Sequence, residues 1–235
     1  MHRQWMAVAV LIVGLAGFLL MEAAHNTEVF SPQLASRPLQ GRVIGVDAGH
    51  GGYDGGCEGA SGVPEKEFNL AVARLLQQEL QGMGATVVMS RTEDVALIDP
   101  EKTTGYKKRK ELDNRLEIFR EGGVEAMVSI HMNKYSSGSQ RGAQVFYMQG
   151  GEAAGRELAL CVQSELHDLD PEHCRTASAG DYYILNACGA SVLVECGFLS
   201  NKQEEQLLLT EEYRQKIAQS VAQGVAEYFR QSAVQ

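Results

Sequence analysis

The chain is predicted to fold as a single three-layer α/β domain, with a mostly parallel sheet of about six strands flanked by helices. Three observations carry this expectation. Short apolar runs rich in β-branched residues alternate with longer stretches of helical periodicity. The apolar share of 44% over 235 residues is ample for a packed core. Val43 to Tyr53, VIGVDAGHGGY, passes directly from a strand-like run into a glycine-rich loop, the form of a strand emptying at the ligand-binding edge of an open sheet.

In chain order, Arg42 to Asp47 is the first strand. Glu65 to Gln81 is a helix whose Phe68, Val72, Leu76, Leu80 and Met83 recur at three or four residues, with Gly82 stopping it. Ala85 to Ser90 is the second strand, and Tyr106 to Glu121 a second helix with Leu112, Leu116 and Phe119 on one side and charges on the other. Glu125 to His131 and Ala143 to Met148 are the third and fourth strands, joined by a polar loop. Gly151 to His167 is helical, Asp168 to Asp181 reads as loop, and Tyr182 to Leu185 and Ser191 to Cys196 supply two more strands. Thr210 N-caps a last helix, with Glu211 and Glu212 against the positive end of its dipole and Tyr213, Ile217, Val221, Val225 and Phe229 as its buried stripe.

A hydrophobic helix precedes this domain. Trp5 to Met21 is free of charge and follows Arg3, and at 1.5 Å per residue it lies near the lower limit for crossing a bilayer core of about 30 Å. Glu22-Ala23-Ala24 puts an acid where a cleavage site wants a small residue, which favours an uncleaved anchor over a signal peptide. Either reading places the remainder outside the cytoplasmic membrane. The expected organisation is a signal or anchor segment over 1–24, a tether over 25–41 and a catalytic domain over 42–232.

The formal charge of −9 argues against a nucleic-acid surface. Five cysteines, an odd number with no CxxC pair, weaken both a disulfide framework and a cysteine-based zinc site, with a single Cys174–Cys188 bridge as the minor alternative.

His50 and His131 stand in equivalent places, each at the end of an apolar strand. If those strands are neighbours, both imidazoles enter one crevice, and a carboxylate would complete an open zinc site. Glu65 and Glu67 lie two positions apart on a helix and point nearly opposite ways, so one alone can turn inward; Glu65 starts the helix nearest the loop and is chosen. Asn69 lies one turn beyond Glu65 on its side. Glu195 ends the apolar run Val192 to Val194, where an acid is costly unless partnered; a metal-bound water is one partner, and a lysine or arginine, the reading the residue alone favours, is the other. Asp47 reads equally as a partner of a histidine ring nitrogen or as a cap on the glycine loop, and Asn133 as a substrate contact or a turn cap.

With these residues in place the chain resembles the type-3 family of zinc-dependent N-acetylmuramoyl-L-alanine amidases. The likeness spans roughly Val43 to Phe229 and rests on four segments in order: DAGHGGYDGG (Asp47 to Gly56), PEKEFN (Pro64 to Asn69), SIHMN (Ser129 to Asn133) and VECGFLSN (Val194 to Asn201). Ser90-Arg91-Thr92 and Arg115 are smaller echoes. The resemblance implies one zinc ion per chain on His50, Glu65 and His131, with Glu195 as the catalytic acid/base. It implies hydrolysis, by zinc-activated water, of the amide between N-acetylmuramic acid and L-alanine, on a peptidoglycan glycan strand carrying its stem peptide. Ala48, Cys57 and Cys196 depart from the usual pattern, and both cysteines read as small buried fillers, with competition for zinc by an inward-facing one as the alternative. The stretch between the fourth strand and Glu195 is too short for a long autoinhibitory insertion. Together with the hydrophobic N-terminus this is most like the CwlD-type sporulation amidases, which prepare cortex peptidoglycan for muramic δ-lactam formation and germination. An activating protein partner is left open. The rival readings are another zinc wall hydrolase, such as a carboxypeptidase or deacetylase, and a silent wall-binding scaffold.

Overall fold

The computed structural model describes residues 37–233. The predicted N-terminal hydrophobic helix and most of the tether lie outside the described residues. Among those described, no helix is long and apolar enough to cross a membrane. Leu39 is fully buried and its N–H donates to the Met83 carbonyl, so the end of the expected tether packs on the domain.

The elements are β1 (Val43–Ala48), α1 (Glu65–Gly82), β2 (Thr86–Met89), α2 (Lys107–Glu121), β3 (Ala126–Asn133), β4 (Gln144–Met148), α3 (Ala153–His167), β5 (Ser178–Gly180), β6 (Ala190–Phe198), α4 (Lys202–Leu208) and α5 (Glu211–Ser232). They form a six-stranded sheet in the order β2-β1-β3-β6-β4-β5. β2, β1, β3 and β6 run parallel, while β4 pairs antiparallel to β6 and parallel to β5. The mostly parallel three-layer sandwich is therefore as the alternation of strands and helices predicts.

Side chains alternate across the sheet, and the two faces differ. Ile44, Val46 and Ala48 of β1, Val128 and Ile130 of β3, and Val192 and Val194 of β6 lie on one face, in an apolar cluster with residues of α1, α3 and α5. The opposite parity carries Gly45, Met127 and Leu193, which meet Phe119 of α2 and the short 3-10 turn Tyr183–Asn186 in a much smaller cluster. The same parity also carries Asp47, Ser129, His131 and Glu195.

Two expectations need correction. Tyr182 to Leu185 is not a strand: Ile184 and Leu185 are neighbours buried in the same cluster, which a 3-10 turn allows and a strand, with its alternating faces, does not. The edge strand is Ser178–Gly180, from within the expected loop. The structure also adds α4, capped by the Asn201 side chain, which accepts from the N–H groups of Gln203 and Glu204. Thr210 caps α5 as expected, accepting from Tyr213 N–H. All five cysteines are free, which removes the Cys174–Cys188 bridge.

Candidate active site

β1 and β3 are parallel neighbours, with Asp47 opposite Ser129, and β3 in turn aligns His131 with Glu195 of β6. His50 lies just past β1 and Glu65 at the first turn of α1. These are the residues the sequence singles out, and the topology brings them to one edge of the sheet.

Glu65 Oε1 is the hub. It lies 2.9 Å from His131 Nδ1 and 3.3 Å from His50 Nε2, and it accepts from Met132 N–H at 3.2 Å and Asn69 Nδ2 at 3.2 Å. Its other oxygen accepts from Cys57 N–H at 3.0 Å. Burial alone would raise this carboxyl's pKa, but His131 and His50 beside it hold it well below the usual carboxylate range. The two imidazoles stand edge-on, centroids 5.0 Å apart. Space here is tight: a Cβ at Gly49 would fall 2.3 Å from the His131 ring, and one at Gly56 2.5 Å from Glu65 Oε2. Glycine at both positions lets the three groups close together. Glu67 is exposed, so the choice of Glu65 agrees with the helix geometry.

One ligand atom each from His50, Glu65 and His131 lies within 4.8 Å of the others. Two neutral-capable imidazoles and a carboxylate locked ionised form a donor set that fits a divalent ion such as zinc. Glu195 supplies a second sign. It lines the same cavity, of about 320 Å³, and its Oε2 is buried without a hydrogen-bond partner. Burial raises its pKa to about 7, against attraction from His131 and with added repulsion from Glu65. Such a carboxyl can take or give a proton near neutrality.

The three remaining sequence candidates fare differently. Asn69 is fully buried and donates to both Glu65 and the Gly49 carbonyl, fixing the carboxylate against the loop. Asp47 serves neither reading the sequence left open: one oxygen accepts from Arg115 at 2.6 Å and the other from Ser129 at 2.6 Å. Burial would raise its pKa, but Arg115 and Ser129 lower it to about 2. Asn133 does not line the cavity; the pairing of β3 with β6 shifts after His131, where the step from His131 to Asn133 faces the longer step from Glu195 to Phe198 in β6.

Sequence reasoning missed Asp54, whose carboxylate lies 2.9 Å from His50 Nδ1. Asp54 and Glu65 raise the His50 pKa to about 9 despite the opposing effect of burial. Arg115 of α2 is legible from sequence only as an echo of the family, and its buried partner Glu111 is missed. The available signal was spacing: Glu111, Arg115 and Phe119 recur every four residues and share one side of the helix.

A family model described as N-acetylmuramoyl-L-alanine amidase matches residues 44–227. The chain is 37% identical to the germination-specific N-acetylmuramoyl-L-alanine amidase of Bacillus subtilis (strain 168), over 90% of this chain and 89% of that protein. Among solved structures, the CwlD amidase from Clostridioides difficile, in complex with the GerS lipoprotein, aligns with TM-score 0.76 and 36% identity, covering 83% of this chain and all of that one. An N-acetylmuramoyl-L-alanine amidase from Clostridium difficile 630 follows at TM-score 0.71 and 28% identity, covering 80% and 97%. The matches in sequence and in fold cover most of the chain, and the chain belongs to the N-acetylmuramoyl-L-alanine amidase family.

Proposed function

We propose that the protein is a zinc-dependent amidase that separates the stem peptide from N-acetylmuramic acid in spore peptidoglycan, with His50, Glu65 and His131 holding the ion and Glu195 moving the proton. The observation that carries this reading is the convergence of the three donors within 4.8 Å beside a buried carboxylate oxygen that has no partner. The catalytic domain is taken as residues 42–232.

The chemistry that zinc supplies when bound is Lewis-acid polarisation of the lactyl carbonyl and a pKa near 7 for the attacking water. The chain's own residues do the rest. Glu195 Oε2 accepts the proton of that water and returns it to the alanine nitrogen, which leaves poorly as an anion and departs as a neutral amine. With its pKa near 7, Glu195 is matched to both halves of the transfer. Asn69 and Cys57 N–H keep Glu65 oriented. No covalent enzyme intermediate is required.

The germination role is inferred from the Bacillus subtilis relative's name and the Clostridioides difficile CwlD structure. The latter contains a lipoprotein, and a lipoprotein partner is proposed here on that ground. Trp5 to Met21 would tether the enzyme to the outer face of the cytoplasmic membrane.

The test is mass analysis of products after incubating zinc-loaded protein with intact peptidoglycan. An amidase frees the amino group of L-alanine and leaves a lactyl carboxylate on the sugar. Shortened stem peptides or deacetylated sugars would instead mark a carboxypeptidase or a deacetylase.

A further inference from the structure

His50 is the only non-glycine among the described residues with a positive φ, +60°. A histidine in the left-handed region is strained and persists where surrounding contacts impose it. Here the contacts are two buried guanidinium groups. Arg91 Nε donates to the carbonyls of Ala48 at 2.9 Å and His50 at 2.8 Å. Its Nη2 donates to those of Gly49 at 3.0 Å and Lys66 at 2.9 Å, and its Nη1 to that of Glu93 at 3.0 Å. From α2, Arg115 Nη1 donates to Ala48 O at 2.8 Å and Nη2 to His50 O at 2.6 Å.

Three consecutive carbonyls, at residues 48, 49 and 50, are therefore held from one fork, and two of the three are held from both. Bringing two like charges together out of water is unfavourable. Asp47 and Glu111 offset the charge at Arg115, whereas Arg91 hydrogen-bonds only to backbone carbonyls. Arg91 is 3% exposed, and its five bonds tie the end of β1, the first turn of α1 and the loop after β2 into one unit. That unit carries both His50 and Glu65.

We propose that Arg91 and Arg115 are positioning residues for the metal site: by converging on the His50 carbonyl they hold its backbone in the left-handed turn that aims the imidazole at Glu65 and His131. This rests on the reading of those three residues as ligands. Without the clamp, His50 relaxes toward the right-handed region and its ring leaves the shared donor cluster. A lysine at 91 keeps the charge but lacks the planar fork, so it cannot span the same carbonyls.

The experiment measures zinc affinity by competition with a chelator in the full chain, for the parent, Arg91→Lys and His131→Ala. The expected result is a zinc Kd about tenfold or more weaker for Arg91→Lys, the scale seen when groups supporting metal ligands are removed. Far-UV circular dichroism should show it folded, and excess zinc should restore its turnover. A role in stability alone would lower Tm and leave the Kd of the folded fraction unmoved. Folded Arg91→Lys with the parent's Kd, beside a zinc-free His131→Ala, overturns the clamp and leaves the ligand reading intact. A parent that takes up no zinc overturns both. Should Arg91→Lys fail to fold, Arg115→Lys, which disturbs the other donor to the same oxygen, is judged by the same outcomes.

Discussion

The two faces of the sheet divide the labour. The face covered by α1, α3 and α5 presents an almost unbroken set of valine, isoleucine, leucine and alanine, and nearly all of it is inaccessible to water. The face covered by α2 and the Tyr183–Asn186 turn has a small apolar cluster, a cavity, and a run of buried polar groups: Asp47, Ser129, Glu111 and Arg115. Apolar burial stabilises in proportion to area and without direction, so the first face can be repacked at moderate cost. The second holds charges out of water, where each group depends on its particular partner. The first face is mainly a source of stability, to which the start of α1 adds Glu65 and Asn69, while the second holds the buried polar groups around His131 and Glu195.

Substitutions on each face can sharpen or break that contrast. The largest effect is expected for Glu195→Gln, with turnover falling about 100- to 10,000-fold while zinc content and Tm stay near the parent's. Amide hydrolysis at the parent rate would remove Glu195 from the mechanism. Arg115→Met should destabilise by about 3–5 kcal/mol in urea unfolding, because it leaves Asp47 buried without its cation. A smaller loss than for a core truncation would contradict the contrast. On the apolar face, Leu158→Ala should cost about 2–5 kcal/mol, yet activity per folded molecule should be retained. If that activity falls with stability, the faces are not separable.

Two pH effects are smaller. The Asp47 pKa is depressed to about 2 in the folded chain. Its contribution is thus full above the ordinary carboxylate range and lost as pH falls toward 2, on the order of 2 kcal/mol in all. Asp47→Asn should therefore unfold more readily than the parent near neutrality, with the gap closing in acid. A gap independent of pH would contradict the assignment. His50, raised to about 9 in the metal-free chain, has the opposite sign: its charged form stabilises below 6.5, and that contribution is lost as pH rises through 9. Zinc must displace this proton, so calorimetry in buffers of different ionisation enthalpy should show proton release on zinc uptake at neutral pH. Asp54→Asn should reduce it.

Much of this was legible in the sequence because strands and helices carry strong periodic signals. VIGVDA, EAMVSI and SVLVEC are mostly apolar runs with a polar residue at the next-to-last position, and they form neighbouring parallel strands that bring Asp47, Ser129 and Glu195 to one face of the sheet. Glu65 could be preferred to Glu67 from helix geometry alone. The Tyr182 to Leu185 segment was not legible, since four apolar and aromatic residues fit a strand or a tight turn equally and the packing of Ile184 beside Leu185 decides. The partners of Asp47 were hidden because Arg115 is 68 residues away and sits among the charges of a helix that reads as solvated. The register shift between β3 and β6 after His131 is likewise announced by no local pattern.

In the proposed centre His50, Glu65 and His131 share one zinc ion beside Glu195. Anomalous diffraction at the zinc edge tests it most directly. The expected result is a single peak about 2.0–2.2 Å from one atom of each of the three residues, with the Glu195 carboxylate facing it unligated. A peak elsewhere, or one bound through Cys57 in place of any of the three, would contradict it.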